Sequence, residues 1–237
     1  MTVTAIAVID FETTGVDPTA DRIVSGYAGV LHGAAPGEGV SILVRPDGYT
    51  IPAGATAVHG ITTEHATTHG GGFDGEISGI LRFLRQHPRV PLAGMNLAYD
   101  LTLLHSELHR AWAPASAERA MRFVLDRPIL DALVLDRALY PFRRGSRRLE
   151  DLASLYGVQF DGAAHGARAD AIAAGQIVAT QLTNPALSGY SIDSLHDAQV
   201  RWRAEQSASL QSFLRRRDPN VVIDPGWPLL TSVTVAA

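Results

Sequence analysis

Cysteine and lysine are both missing from the 237 residues. The first absence excludes disulfides, thiolate metal sites and cysteine nucleophiles. The second excludes Schiff-base and P-loop lysine chemistry, and leaves arginine as the only permanently cationic side chain. Long apolar runs are missing too: none reaches the roughly 20 residues of a membrane span, so no membrane partner is expected. The start, Met1-Thr2-Val3-Thr4, lacks the basic residues that open a signal peptide, and a cytoplasmic location is expected. What remains is 46% hydrophobic and 19% charged, the composition of a globular chain with room for one α/β core plus an appendage.

Residues 3–9 form a nearly continuous apolar run, as in a strand buried on both faces. Residues 22–31 and 39–44 read as two further strands, separated by a loop at 33–37. Short connections make these three an antiparallel meander. Residues 46–72 are rich in Gly, Thr and Pro and read as irregular, with two short helical turns. A helix is expected over 73–87, a strand over 90–95 and a helix over 98–112, the last carrying Leu101, Leu104, His105 and Leu108 at helical spacing. Residues 121–125 read as a fifth strand. Helices follow at 132–139, 148–156 and 167–182. Asn184-Pro185 and Gly189 mark a break, which divides the chain into a domain over 1–184 and a C-terminal extension over 185–237, a long helix (191–217) and an extended tail. The expected class is α/β, a mixed five-stranded sheet flanked by helices.

Chemistry is concentrated in carboxylates. In Asp10-Phe11-Glu12, residues i and i+2 of a strand share a face, roughly 6–7 Å apart at the backbone. Two like charges at the end of an apolar strand are costly unless cations neutralise them, and hard oxygen ligands suit Mg²⁺ or Mn²⁺. A lone Asp-x-Glu reads as a solvated strand end or a cap. Further acids change that reading. Asp100 falls where a strand hands over to a helix, a usual place for site residues, though a first-turn acid also serves the helix dipole. His165 and Asp170 are five residues apart, about 140° around a helix. They can share a site only if His165 precedes the helix, which Gly166 permits.

Taken in order, Asp-x-Glu-Thr-Thr-Gly (10–15), Asn-x-x-Tyr-Asp (96–100) and His-x-x-x-x-Asp (165–170) resemble the three motifs of the DEDDh exonucleases. The resemblance covers about residues 3–182. Val58-His59-Gly60-Ile61-Thr62 is similar to a segment between the first and second motifs of that family, and Ile129-Leu130-Asp131 to one after the second. The resemblance implies a ribonuclease H-like fold and hydrolytic removal of nucleoside 5′-monophosphates from a 3′ end. It implies two divalent cations, Mg²⁺ or Mn²⁺, held by Asp10, Glu12, Asp100 and Asp170, with His165 as the base. Thr13, Thr14, His59, Ile61, Asn96 and Tyr99 become candidate substrate contacts, Ile61 against the terminal base, although Tyr99 taken alone reads as core packing. Met95 stands where many relatives have His, and Ala132 where many have Thr.

The expected partner is nucleic acid: single-stranded DNA or frayed 3′ ends, with RNA 3′ ends as the alternative. A proofreading or repair role would need a polymerase or repair partner. The net charge of −4 equals the four carboxylates assigned to metal, so it permits a polyanionic substrate without arguing for one. A non-catalytic accessory module would be signalled by a lost carboxylate, and all four are present. A nucleotide phosphatase on the same fold would act on mononucleotides and not on oligomers. Arg143, Arg144, Arg147 and Arg148 form the densest basic cluster, either a phosphate contact or a solvated loop. Asp131 reads as a helix N-cap. The last helix carries an apolar stripe (Leu195, Ala198, Trp202, Leu210, Phe213) that packs on its own domain or supports a homodimer.

Overall fold

The structure is a computed structural model that describes residues 3–159 and 166–231. Its centre is a five-stranded sheet in the order β3-β2-β1-β4-β5. Strands β1 (Ala5–Thr13), β2 (Ile23–His32) and β3 (Ala35–Leu43) form the antiparallel meander that the short connections suggest. Strands β4 (Leu92–Gly94) and β5 (Ile129–Asp131) extend the sheet on the other side of β1, both in the parallel sense. The apolar run at the start of the chain thus becomes the middle strand. Ile6 and Val8 face one cluster of core side chains, and Ala7, Ile9 and Phe11 face the other. Each Ile or Val buried this way stabilises the fold by about 1.5–3 kcal/mol.

Helices α1 (Ala53–His59) and α2 (Thr63–His69) are the two short turns expected in the Gly- and Thr-rich stretch. On the Phe11 face lie α3 (Phe73–Gln86), α4 (Leu97–Ala111) and α5 (Pro114–Leu125). On the Val8 face lie α6 (Ala132–Leu139), α7 (Leu149–Tyr156), α8 (Ala167–Gln181) and the first part of α9 (Ile192–Leu214). No helix among the described residues is long and apolar enough to cross a membrane.

Two expectations are corrected. Residues 121–125 are not a strand: they end α5, and the fifth strand is β5. A five-residue apolar window cannot reveal a helical period. Counted from further back, Ala117, Ala120, Met121 and Val124 fall on one buried face at helical spacing, and Pro114 pre-sets the first turn. The loop placed at 33–37 is also too long. The turn is Gly33-Ala34, with Gly33 left-handed at φ 65°, and β3 resumes at Ala35. Pro36 and its neighbouring glycines are tolerated because β3 is the sheet edge, where no further strand needs their donors.

The apolar stripe of α9 divides in two. Leu195 and Ala198 are fully buried against the sheet's helices, whereas Leu210 and Phe213 stay exposed. Beyond α9 the tail, described to Thr231, holds no helix or strand and folds back over α4. Trp227 enters the core of the Phe11 face, and the Leu230 amide donates to Thr102 Oγ1 at 2.9 Å.

Candidate active site

Because β1 alternates, Asp10 and Glu12 continue the row of Ile6 and Val8 and project to the face that α8 covers. Helix α8 approaches this face closely at Gly175, where a Cβ would overlap side chains of Val8 and Leu31. That close approach brings Asp170, in the first turn of α8, into the same pocket. Carboxylate oxygens of Asp10, Glu12 and Asp170 lie within 4.8 Å of one another. Asp100 arrives from α4. It is buried, and its Oδ1 accepts from the Phe11 amide at 3.2 Å, one residue from both Asp10 and Glu12.

The electrostatics follow from this crowding. The Asp10 carboxyl is pushed well above the usual carboxylate range, first by burial and then by the charges of Asp100, Glu12 and Asp170. Burial likewise pushes Asp100 up to about 8, against the amides of Phe11 and of Asp100 itself that favour its charged form. Like charges gathered in a partly desolvated pocket are tolerable only if they share protons or bind cations. The donors are all oxygens, which fits a hard divalent ion.

The loop before α4 is fixed from a distance. Asn96 has a left-handed backbone, φ 59°, which Asn tolerates better than most residues. Its amide donates to Asp131 Oδ1 at 3.1 Å, and the Leu97 amide to Oδ2 at 2.9 Å. Asp131 also caps α6 as expected, accepting from Leu133 and Val134, while its own amide donates to Gln199 of α9 at 2.8 Å. Capping was visible in the sequence. The hold on the Asp100-bearing loop was not, because it spans about 35 residues.

The remaining candidates are placed as follows. The Tyr99 hydroxyl donates to the Gly15 carbonyl at 2.6 Å and lies 3.1 Å from Thr13 Oγ1, which donates to the same carbonyl. Burial pushes the Tyr99 phenol up to about 12. Thr14 is buried, donating to Asp21 Oδ1 at 2.7 Å and accepting from the Arg22 amide. Thr13, Thr14 and Tyr99 therefore shape the turn after β1. His59 closes α1 beside the Thr13 backbone, and its Nδ1 accepts from the Ile61 amide. Ile61 packs partly against Val24, Ile51 and Ala66. His165 lies outside the described residues. Helix α8 begins at Ala167 with Gly166 as its extended cap, so Asp170 is in the first turn, as the shared-site reading requires.

The basic cluster is neither a free phosphate contact nor a solvated loop throughout. Arg143 Nη2 and Arg147 Nε pair with Asp136 Oδ2 at 2.9 and 2.7 Å, and Tyr156 donates to Oδ1 at 2.9 Å. The buried acid on α6, seven and eleven residues away, draws both guanidinium groups inward.

A mixed five-stranded sheet whose middle strand delivers acids to a pocket closed by two helices defines the class, and the sequence places the chain within it. The family model described as Exonuclease (RNase_T) matches residues 7–178, so the chain belongs to that exonuclease family. Solved structures of exonuclease I are similar in fold. The zinc-bound complex of E. coli exonuclease I with single-stranded DNA gives a TM-score of 0.65 at 22% identity, over 88% of this chain and 45% of that one. E. coli exonuclease I with a 5cy-dT13 oligonucleotide gives 0.63 at 22%, over 87% and 45%. The moderately thermophilic exonuclease I of Methylocaldum szegediense gives 0.58 at 22%, over 89% and 46%. The chain therefore spans less than half the length of these proteins. No curated protein matches it significantly.

Proposed function

We propose that the protein is a 3′→5′ exonuclease that hydrolyses phosphodiester bonds at the 3′ end of single-stranded DNA and releases nucleoside 5′-monophosphates. One observation carries this reading: carboxylates of Asp10, Glu12 and Asp170 converge within 4.8 Å, with Asp100 held against the intervening amide of Phe11. Membership of the exonuclease family and the exonuclease I fold support it.

In this reading Asp10, Glu12, Asp100 and Asp170 hold two divalent cations, Mg²⁺ or Mn²⁺. When bound, such ions lower the pKa of a water and stabilise charge on the attacked phosphate. The chain itself does the rest. Asp10 and Glu12 lie on a central strand, which keeps the ligand geometry rigid. Asp131 fixes the loop that presents Asp100. His165 takes the water's proton, a step for which an imidazole is suited near neutral pH. Thr13 and Thr14, braced by Tyr99 and Asp21, set the turn that receives the terminal 3′-hydroxyl, while His59 and Ile61 stand beside it to meet the terminal nucleotide. Asn96 presents Asp100 from its left-handed position. The exonuclease domain runs over 1–184, with α9 and the tail bracing β5 and α4.

The test is a gel of end-labelled single-stranded DNA, duplex DNA and RNA, incubated with Mg²⁺, Mn²⁺ or EDTA. Stepwise loss of 3′ nucleotides from single-stranded DNA, abolished by EDTA, is expected. Preference for RNA would move the substrate to the alternative, and release of phosphate from mononucleotides alone would overturn the reading.

A further inference from the structure

A second convergence of metal-ligating side chains lies away from the carboxylate pocket. His105 and His109 are one turn apart on α4, with ring centroids 4.3 Å from each other. Glu118 reaches them from α5, and one ligand atom from each of the three lies within 4.8 Å of the others. His105 is five residues beyond Asp100, about 140° around the helix, so the two face different directions.

The ordinary reading is a His109–Glu118 ion pair, whose atoms are 3.1 Å apart. It accounts for little of what is there. His109 Nε2 and Glu118 Oε1 are close but outside hydrogen-bonding geometry. Both ring nitrogens of His105, His109 Nε2 and Glu118 Oε2 are buried with no hydrogen-bond partner. His105 is only 6% exposed and Glu118 only 8%. Buried polar atoms are rarely left unsatisfied, and three of them from different residues facing one point call for a shared partner. Two imidazoles at i and i+4 with a carboxylate from the next helix form a nitrogen–oxygen set that suits zinc, cobalt or nickel, with ligand bonds of roughly 2.0–2.2 Å. Among the described residues the carboxylate pocket offers oxygen ligands, the set of magnesium or manganese. We propose that His105, His109 and Glu118 form a second cation site that takes Zn²⁺ or a similar transition-metal dication. The ion cross-links α4, whose first turn carries Asp100, to α5. Its role is to brace the fold, with no part in hydrolysis.

The experiment uses the metal-stripped full chain carrying Asp10→Asn, which weakens the carboxylate pocket. Zn²⁺ and Co²⁺ are titrated by calorimetry, Co²⁺ also by its visible absorption. One equivalent with a cobalt spectrum of imidazole ligation is expected. At a hundredfold excess over its Kd, Zn²⁺ should raise Tm by about 8 °C. Adding His109→Gln, on α4, or Glu118→Gln, on α5, should each weaken binding by at least ~10-fold and remove about half of the Tm rise or more at the same zinc concentration. His109 is partly exposed, so its replacement leaves the metal-free chain folded. The exposed His65 and His69 of α2, also a turn apart, are the built-in rival. Binding that survives His109→Gln and Glu118→Gln but disappears with His65→Gln overturns the proposal. So does the absence of any zinc-dependent Tm rise in the Asp10→Asn chain, which needs no change at the site itself.

Discussion

Asp136 and Asp10 are both carboxylates drawn into the fold, but their neighbours are opposite in sign. Asp136 is fully buried and has two guanidinium groups and a phenol within hydrogen-bond distance. Glu107, also buried, is treated similarly, by Arg22, Arg110 and the Ile23 amide. Asp10 has Asp100, Glu12 and Asp170 beside it, and neither Asp10 nor Asp100 has an arginine partner among the described residues. A carboxylate compensated from within the chain holds the structure together. A group of carboxylates that raise one another's pKa costs stability and gains a purpose only with an external cation. The chain has 20 arginines, and among the described residues none forms an ion pair with Asp10 or Asp100.

The comparison breaks most visibly on activity. Asp10→Asn should abolish nuclease activity on labelled single-stranded DNA, a loss of more than ~10³-fold, while leaving metal-free Tm unchanged or higher because one repelling charge is gone. Full activity in the purified variant would remove Asp10 from the site. Next in size is His165→Ala, expected to lower kcat by roughly 10²–10⁴-fold if its imidazole is the base. The pH–rate profile should lose its lower limb, and an unaltered profile would exclude that role. Asp136→Asn should do the reverse of Asp10→Asn. It strands Arg143 and Arg147, whose side chains are 19% and 18% exposed, so the cost falls below the ~3–5 kcal/mol of a fully buried broken pair, at about 2–3 kcal/mol. Thermal unfolding checks this, with a drop of about 5–10 °C expected and residual activity in the folded fraction.

The legible parts of this molecule are those written locally. The two-sided apolar run at 3–9 announces the central strand, and the i, i+2 acids at its end need only the pleat to share a face. Helix α8 is readable from its alanine-rich stretch after Gly166. What the sequence withheld depends on chain reversal. The link from Asp131 to the Asn96 and Leu97 amides, the pairing of Asp136 with Arg143 and Arg147, and the approach of Glu118 to His105 and His109 each require two segments to meet at a turn whose geometry no single residue type specifies. The error at 121–125 has a different origin. Met121, Phe123, Val124 and Leu125 are as apolar as a strand, and only the buried alanines upstream, weak signals in themselves, carry the helical period.

The smallest expected effect is the most direct measure of the difference between the two acidic centres. Asp100 has a folded-state pKa near 8, and Asp10 is raised in the same direction, against an ordinary value of 3.8 for both. A raised folded pKa means that the folded chain holds the proton more tightly than the unfolded chain does. The resulting stability is fully present below about pH 4 and is lost as pH rises through the folded value. In EDTA, this pair should therefore make Tm fall by a few degrees between pH 5 and about 8. Saturating Mg²⁺ should reverse that part, because a dication favours the ionised carboxylates. Asp10→Asn in EDTA should flatten the slope over the same range, whereas Asp136→Asn should lower the whole curve and leave its slope intact. A slope that is identical with and without Mg²⁺, and in both variants, would mean that the acids of the pocket are neutralised by the protein after all.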